Sequence, residues 1–469
     1  MDTQPSRAPA PVIVVGGGII GRVSALRLRE AGLDVVLLDP DVASCPVPAS
    51  TGLGSADPGL ATSGPASFGN AGHIAVEQVR PLTNPAFLLT LPRRLFLAGG
   101  ALDFGWRRPA AWLPWAGRAA AACFRAKSGQ RALTSLLADA MPAWQRLAAD
   151  LGAPALVSNA GHLMLWHKAR PGAAAAAGWQ RADTGTALAV SMRAPELDRV
   201  ASHLSVRPPI GLRFEHTGQV RDVAETMRRL GAALCCAGVR RMRVRVRRVV
   251  MRDGRLGVEL SGPAAGEILW ADKILIAAGV ESNRLLRGIG IRMPVVAERG
   301  YHVEWSHGSD YELPPLVFEE RSLIVTRFGA RLRASSFVEF DAEDAPPDRR
   351  KWARLEAHVR ALGLPVASPF SRWVGARPTL PDYLPALGHL PGLGRCPSAA
   401  GLFVACGHQH LGLTLAPRTA EIIAALMTGQ HSPVALTPFR PDRFGRSRLP
   451  GRAVGLPYSG RPPRNSSRC

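Results

Sequence analysis

VIVVGGGIIGRVSALRLREAGLDVVLLD, residues 12–39, reads as a strand, a glycine turn, a helix and a second strand. The apolar run 12–15 has the composition of a buried strand, and Gly16, Gly18 and Gly21 then fill the pattern G-x-G-x-x-G. Each glycine has a mechanical role. Gly16 permits a tight turn, Gly18 lets backbone approach a pyrophosphate, and Gly21 lets helix and strand pack closely. Ile19 and Ile20 open the helix, whose unpaired N–H groups and positive dipole end suit phosphates. The helix is expected to end near Gly32, and the strand 35–38 closes on Asp39. That carboxylate can accept hydrogen bonds from a ribose 2′-hydroxyl and would repel a 2′-phosphate. A bare glycine pattern is weak, but strand context and a terminal acid make dinucleotide binding the expectation.

The chain's 469 residues allow two domains, and an apolar share of 46% suits a globular protein with a sizeable core. Its net charge of +22 raises the question of nucleic acid or membrane. Lysine occurs only at Lys127, Lys168, Lys273 and Lys351, so nearly all the positive charge is arginine scattered along the chain. With no recognition motif to organise it, nucleic-acid binding is not expected. None of the seven cysteines forms a C-x-x-C pair, which points to a reducing compartment without a zinc or dithiol signature. His408 and His410 have no acid or further histidine at ligand spacing, so no metal is expected. The start MDTQPSRAPA lacks the pattern of a signal peptide, and no uninterrupted apolar run is long enough to span a bilayer. A cytoplasmic location follows as the expectation.

A Pro-, Gly- and Ser-rich loop occupies residues 40–65. Helical periodicity runs over 84–152, with its clearest amphipathic stretch at 133–152, kinked or restarted at Pro142. A strand is expected at 161–166 and a helix at 221–237. Strands follow at 242–251 and 256–260, joined by the Asp253-Gly254 hairpin signal. Another buried strand covers 273–277, then a strand-rich part runs to about residue 340, followed by a helix at 348–362. A strand at 401–406, a turn at 407–412 and a helix at 415–427 complete the pattern. The tail from Arg443 has seven arginines and no acid, and is expected to be disordered.

Six segments in fixed order give the chain a likeness to a known family. They are VIVVGGGIIG, ASFGNAGHI (66–74), ADKILIAAG (271–279), AERGYH (297–302), SRWVGARPTLPDYLPALG (371–388) and ACGHQHLGLTLAP (405–417). Together they resemble the FAD-dependent D-amino-acid oxidase superfamily, most closely its bacterial D-amino-acid dehydrogenase branch. The resemblance implies an α/β fold: a discontinuous Rossmann-type FAD domain from 11–79, 216–285 and 385–430, and an α+β substrate domain on a mixed or antiparallel sheet from 80–215 and 286–384. It implies non-covalent FAD. Ser67, Asn70, Ala71, Gly72 and His73 would pass beside the isoalloxazine, Ala278 and Gly279 would end a strand near the dinucleotide, and Val246 would reach the adenine. Gly407, His408, Gly412, Leu413 and Thr414 would set a helix start against the flavin, where it stabilises negative charge on reduction.

Arg377 matches the arginine that holds the substrate carboxylate in this family, a role its five fixed donors suit and lysine cannot reproduce. Tyr301 and His302 are candidates for the same pocket. The implied reaction moves a hydride from the Cα of a D-amino acid to flavin N5, giving an imino acid and then a 2-oxo acid and ammonia. Catalysis would rest mainly on positioning. Alternatives are a D-hydroxyproline, glycine or sarcosine enzyme of the same superfamily, or a non-catalytic FAD-binding homologue. Three features depart from the family pattern: the long 40–65 loop, Glu281 in place of a common aromatic, and Gln409 in place of a usual glycine. The electron acceptor expected is a quinone or another carrier. Residues 79–130 carry eight basic residues and one acid, Asp103, interleaved with Trp106, Trp112 and Trp115. Such a segment suits peripheral contact with an anionic membrane, here the inner face of the plasma membrane, unless its tryptophans pack inward.

Overall fold

The computed structural model describes residues 10–41, 61–308, 311–390 and 401–444. The 42–60 part of the long loop and the basic tail beyond 444 lie outside the described residues.

Val12–Val15 and Val35–Leu38 are fully buried neighbours in a six-stranded sheet, with Val12 opposite Val35 and Val15 opposite Leu38 in parallel register. Ile274–Ile276 and Leu402–Cys406 extend the parallel sheet on the other side, and Ala386–His389 closes that edge antiparallel. Near-continuous apolar strands of this kind require cover on both faces. One face is covered by Ile19–Glu30, Val223–Cys236 and Gly412–Met427, whose buried residues form one cluster with Val12, Val14, Val35 and Leu37. The other face packs on a small antiparallel sheet, 245–271, through Val249, Val258 and Leu260. The expected strand 242–251 is in fact split. Arg240–Met242 joins the parallel sheet beside Val35–Leu38, whereas Arg245–Arg252 pairs with Arg255–Ser261. The hairpin turn between them falls at Asp253 and Gly254, both at positive φ (48° and 73°).

A second, ten-stranded mixed sheet carries the long strands Val296–Ser306, Arg331–Asp341 and Ser371–Thr379. The helix Arg349–Ala361 lies across it, capped by Asp348 and seated through Trp352, whose indole donates to the Trp373 carbonyl at 3.1 Å. The stretch read as kinked or restarted at Pro142 is restarted, as the helical pair Ala126–Leu137 and Ala140–Asp150. The restart is at Ala140, so Pro142 falls in the first turn, where its missing N–H leaves no bond unmade. This pair packs on Gly412–Met427 rather than on the large sheet. One contact repairs a defect there: Pro417 cannot donate to the Leu413 carbonyl four residues back, and the Trp144 indole does so instead at 2.9 Å.

Candidate active site

A cavity of about 1130 Å³ runs from the C-terminal ends of the parallel strands to the large sheet. Its volume exceeds the roughly 300–1,000 Å³ of ordinary small-molecule pockets, as a dinucleotide with a substrate beside it requires. Gly16, Gly18, Ile19, Ile20 and Asp39 border one end, together with Val246, Ala278 and Gly279. Gly16 has φ +110°, and a Cβ there would lie 2.5 Å from the Ala277 carbonyl oxygen. Gly18 caps the helix without a side-chain bond, so N–H groups of the first turn remain for an anion. Asp39 accepts the Gly17 N–H at 2.6 Å, which holds the carboxylate over the turn. Arg22, on the buried side, donates to the Gly17 carbonyl at 2.7 Å and braces the turn from behind. Arg284 pairs with Glu281 and also donates to the Val246 and Arg247 carbonyls, so the unusual Glu281 helps clip this end together.

The middle of the wall is the segment carrying Ser67, Asn70, Ala71 and His73. Ser67 Oγ accepts the Ile19 N–H at 3.0 Å and Asn70 Oδ1 accepts the Gly72 N–H at 2.8 Å. Arg333, which the sequence reading missed, donates to the Phe68 and Asn70 carbonyls while Glu304 holds its other side at 2.8 Å. One arginine among many on strands carries no signal of such a role. At the far end stand His408, Gln409, His410, Gly412 and Leu413. His408 is buried, meets the Thr419 hydroxyl at 3.0 Å, and is pushed down to about 3 by burial, so it serves the turn as a neutral ring. Gln409 adopts φ +49°, which explains why a glycine suits the position, and its side-chain amide is spent on the Tyr383 carbonyl.

Four of the expected cofactor residues stand behind the wall rather than in it. Gly21 lies so close to the Gly16 carbonyl that no Cβ fits, and Gly72 and Gly407 hold positive φ against Phe328 and Leu380. Thr414 accepts the Ala75 N–H at 3.0 Å, tying the late helix to the end of the 66–74 segment.

Arg377 borders the cavity, a quarter exposed, with its Nη1 3.1 Å from Glu298 Oε1. Glu298 is fully buried and also takes hydrogen bonds from Thr379 and Tyr383, at 2.9 and 3.3 Å. It was legible only as part of AERGYH. Tyr301 and His302, the other two expected pocket residues, are placed differently. Tyr301 borders the cavity, while its hydroxyl donates to Glu339 at 2.7 Å and accepts the Asp348 N–H. His302 stacks on Trp373 and meets the Gly69 carbonyl at 3.2 Å, a buttress outside the cavity wall. His410 also reaches the wall, half-buried and pushed down to about pKa 4 by desolvation, with Glu298 and Arg377 acting on it in opposite directions.

The fold and cavity thus define a two-part α/β protein built to hold a dinucleotide against a sheet-borne pocket. A family profile described as FAD dependent oxidoreductase matches residues 11–426, and the chain belongs to that family, that of D-amino-acid oxidase. It is 28% identical over 442 residues to a D-amino-acid oxidase of Bradyrhizobium diazoefficiens, covering 92% of this chain and 98% of that protein. A D-amino acid dehydrogenase of Paramagnetospirillum magneticum is 27% identical over 454 residues, with coverage of 92% and 98%. Among solved structures, glycine oxidase from Geobacillus kaustophilus superposes with TM-score 0.66 at 17% identity, covering 93% of this chain and 99% of that one. The protein is accordingly an FAD-dependent oxidoreductase. No helix among the described residues is long and apolar enough to cross a membrane.

Proposed function

We propose that the chain oxidises small D-amino acids to imino acids, which water converts to 2-oxo acids and ammonia. The observation that carries the reading is Arg377, presented to the cavity and held by buried Glu298. Glu298 takes Nη1, which leaves the rest of the fork for a substrate carboxylate. Gly300 lies directly over the guanidinium, where any Cβ would collide, so the plane is fixed before substrate arrives. His410, kept neutral by desolvation, adds no positive charge to repel the substrate amine. FAD, held non-covalently along the wall from Asp39 to Leu413, would supply the hydride acceptor. The segments 11–79, 216–285 and 385–430 are proposed as the FAD-holding part, and the remainder as the substrate-facing part.

Anaerobic mixing of the purified yellow protein with D-alanine, D-proline, D-hydroxyproline, glycine and sarcosine tests this. Bleaching of the flavin by D-amino acids with a side chain supports it. Bleaching by glycine or sarcosine alone would move the chain to the activity that the glycine oxidase names describe. A flavin that no amine bleaches would favour a binding role.

A second proposal concerns the electron acceptor. Leu97, Trp106, Leu113 and Phe124 are exposed, Phe124 by 91%, all within the basic 79–130 segment. This supports peripheral contact with an anionic membrane and delivery of electrons to a quinone or similar carrier. The tryptophan part of the expectation is corrected: Trp112 and Trp115 pack inward, and the Trp115 indole donates to the Thr379 carbonyl at 3.1 Å.

A further inference from the structure

Beside the flavin-side loop, three side chains from distant parts of the chain converge in the interior. His73 Nε2 lies 3.1 Å from His162 Nδ1 and 3.8 Å from Glu77 Oε2, and the three donor atoms all fall within 4.8 Å of one another. The Glu77 side chain is 1% exposed. Its Oε1 accepts from Gln78 at 3.1 Å, but Oε2 has no hydrogen-bond partner. A buried carboxylate oxygen without a hydrogen-bond donor is costly unless a cation or a proton completes it. Nδ1 is the His162 nitrogen with polar neighbours, the His73 ring and the Thr217 hydroxyl at 2.9 Å. The His162 ring is stacked on Phe214 with centroids 4.5 Å apart, which fixes its orientation.

We propose that His73, Glu77 and His162 form a binding site for one divalent cation of the zinc class, with the Thr217 hydroxyl or a water as fourth donor. Two imidazoles and one carboxylate are a recognised zinc donor set. Bond lengths of about 2.0–2.1 Å place tetrahedral ligands roughly 3.3 Å apart, near the observed 3.1 and 3.8 Å edges, and the third edge, within 4.8 Å, would close as the ion binds. The ion would join the His73–Ile74 strand, whose His73 borders the flavin cavity, to the His162–Trp166 strand of the large sheet. It would thereby lock the loop on which the cofactor rests. Sequence spacing conceals the site, because His162 lies 89 residues from His73 and neither stands in a ligand motif.

The test uses the FAD-loaded protein, incubated with excess Zn²⁺, freed of unbound ion, and assayed for zinc per flavin by mass spectrometry. The expected result is one zinc per flavin in the wild type and loss of stoichiometric zinc in Glu77→Gln. The variant should keep its flavin spectrum. Zinc should raise the melting temperature of the wild type and leave that of Glu77→Gln unmoved. Zinc-edge X-ray absorption of the wild type should show two imidazoles and oxygen donors, and decides the matter even if the variant fails to fold. Wild-type protein without stoichiometric zinc, equal zinc in Glu77→Gln, or an absorption spectrum without two imidazoles would overturn the site and leave a hydrogen-bonded histidine pair.

Discussion

Replacing Arg377 with alanine separates two energies that the structure places on one side chain. Toward the cavity, the guanidinium faces a substrate carboxylate in a largely water-excluded site. Truncating one partner of such a pair costs about 2–5 kcal/mol, or a fall in kcat/KM of roughly 30- to 5,000-fold. Away from the cavity, the same guanidinium neutralises Glu298, which is fully buried. Breaking a buried pair costs about 3–5 kcal/mol. Arg377 is a quarter exposed and Glu298 keeps its bonds from Thr379 and Tyr383. Solvent screening and those bonds reduce the expected loss to about 1–2 kcal/mol. Arg377→Ala should therefore lose activity heavily, melt a few degrees lower, and retain most of its FAD. Adding Glu298→Gln removes the unpaired buried charge, so the double variant should regain the melting temperature without regaining activity. Arg377→Lys should recover only part of the rate, because an ammonium cannot make two parallel bonds. The assays are steady-state kinetics with D-alanine, flavin content and thermal melting. A single variant within about threefold of wild-type kcat/KM would refute the carboxylate role. A double variant no more stable than the single one would refute the pairing argument.

Gly16→Ala should purify with little FAD, since its Cβ would meet the Ala277 carbonyl at 2.5 Å and its φ is +110°; a normal flavin-to-protein ratio would contradict this reading of the turn. Acid precipitation should release the flavin into the supernatant, whereas flavin retained in the pellet would disprove non-covalent binding. Burial holds His408 at about 3 and His358 and His410 at about 4, while unfolded histidines titrate near 6.5. Between these values the unfolded chain binds more protons, so stability is fully present above pH 6.5 and is lost as pH falls toward 4. Melting temperatures measured from pH 8 to 4.5 should be flat and then fall, and His408→Gln should fall less steeply; a level profile would negate the argument. Liposomes rich in anionic lipid should sediment the protein at moderate salt, and Leu97→Asp with Phe124→Asp should weaken this; wild-type protein that stays in the supernatant would refute the membrane contact.

The nucleotide-binding end was legible in sequence because its determinants are local. A tight turn, a helix start and a strand-end carboxylate all fall within residues 12–39, and the structure places Gly16, Gly18 and Asp39 along one cavity wall. Strand and helix positions were likewise readable where apolar spacing is clean, as at 12–15 and 349–361. Helix and strand starts shifted wherever a tertiary partner decided the outcome. The helix begins at Gly412 rather than 415, and the Trp144 indole occupies the Leu413 carbonyl that Pro417 cannot reach. The substrate end was read only in outline. Arg377 came from motif likeness, but its partner Glu298 lies on a neighbouring strand, and no spacing reveals which residues meet across a sheet register. Tyr301 and His302 were read from one motif, and only the tertiary structure separates them: Tyr301 borders the cavity with its hydroxyl spent on Glu339, whereas His302 stacks on Trp373 outside the lining. The convergence of His73, Glu77 and His162, and the Arg333 staple, depend on contacts between segments far apart in the chain. Sequence alone determined the backbone geometry that a phosphate needs, because that geometry is local. The charges and rings that face a substrate or an ion were decided only by how the two sheets meet.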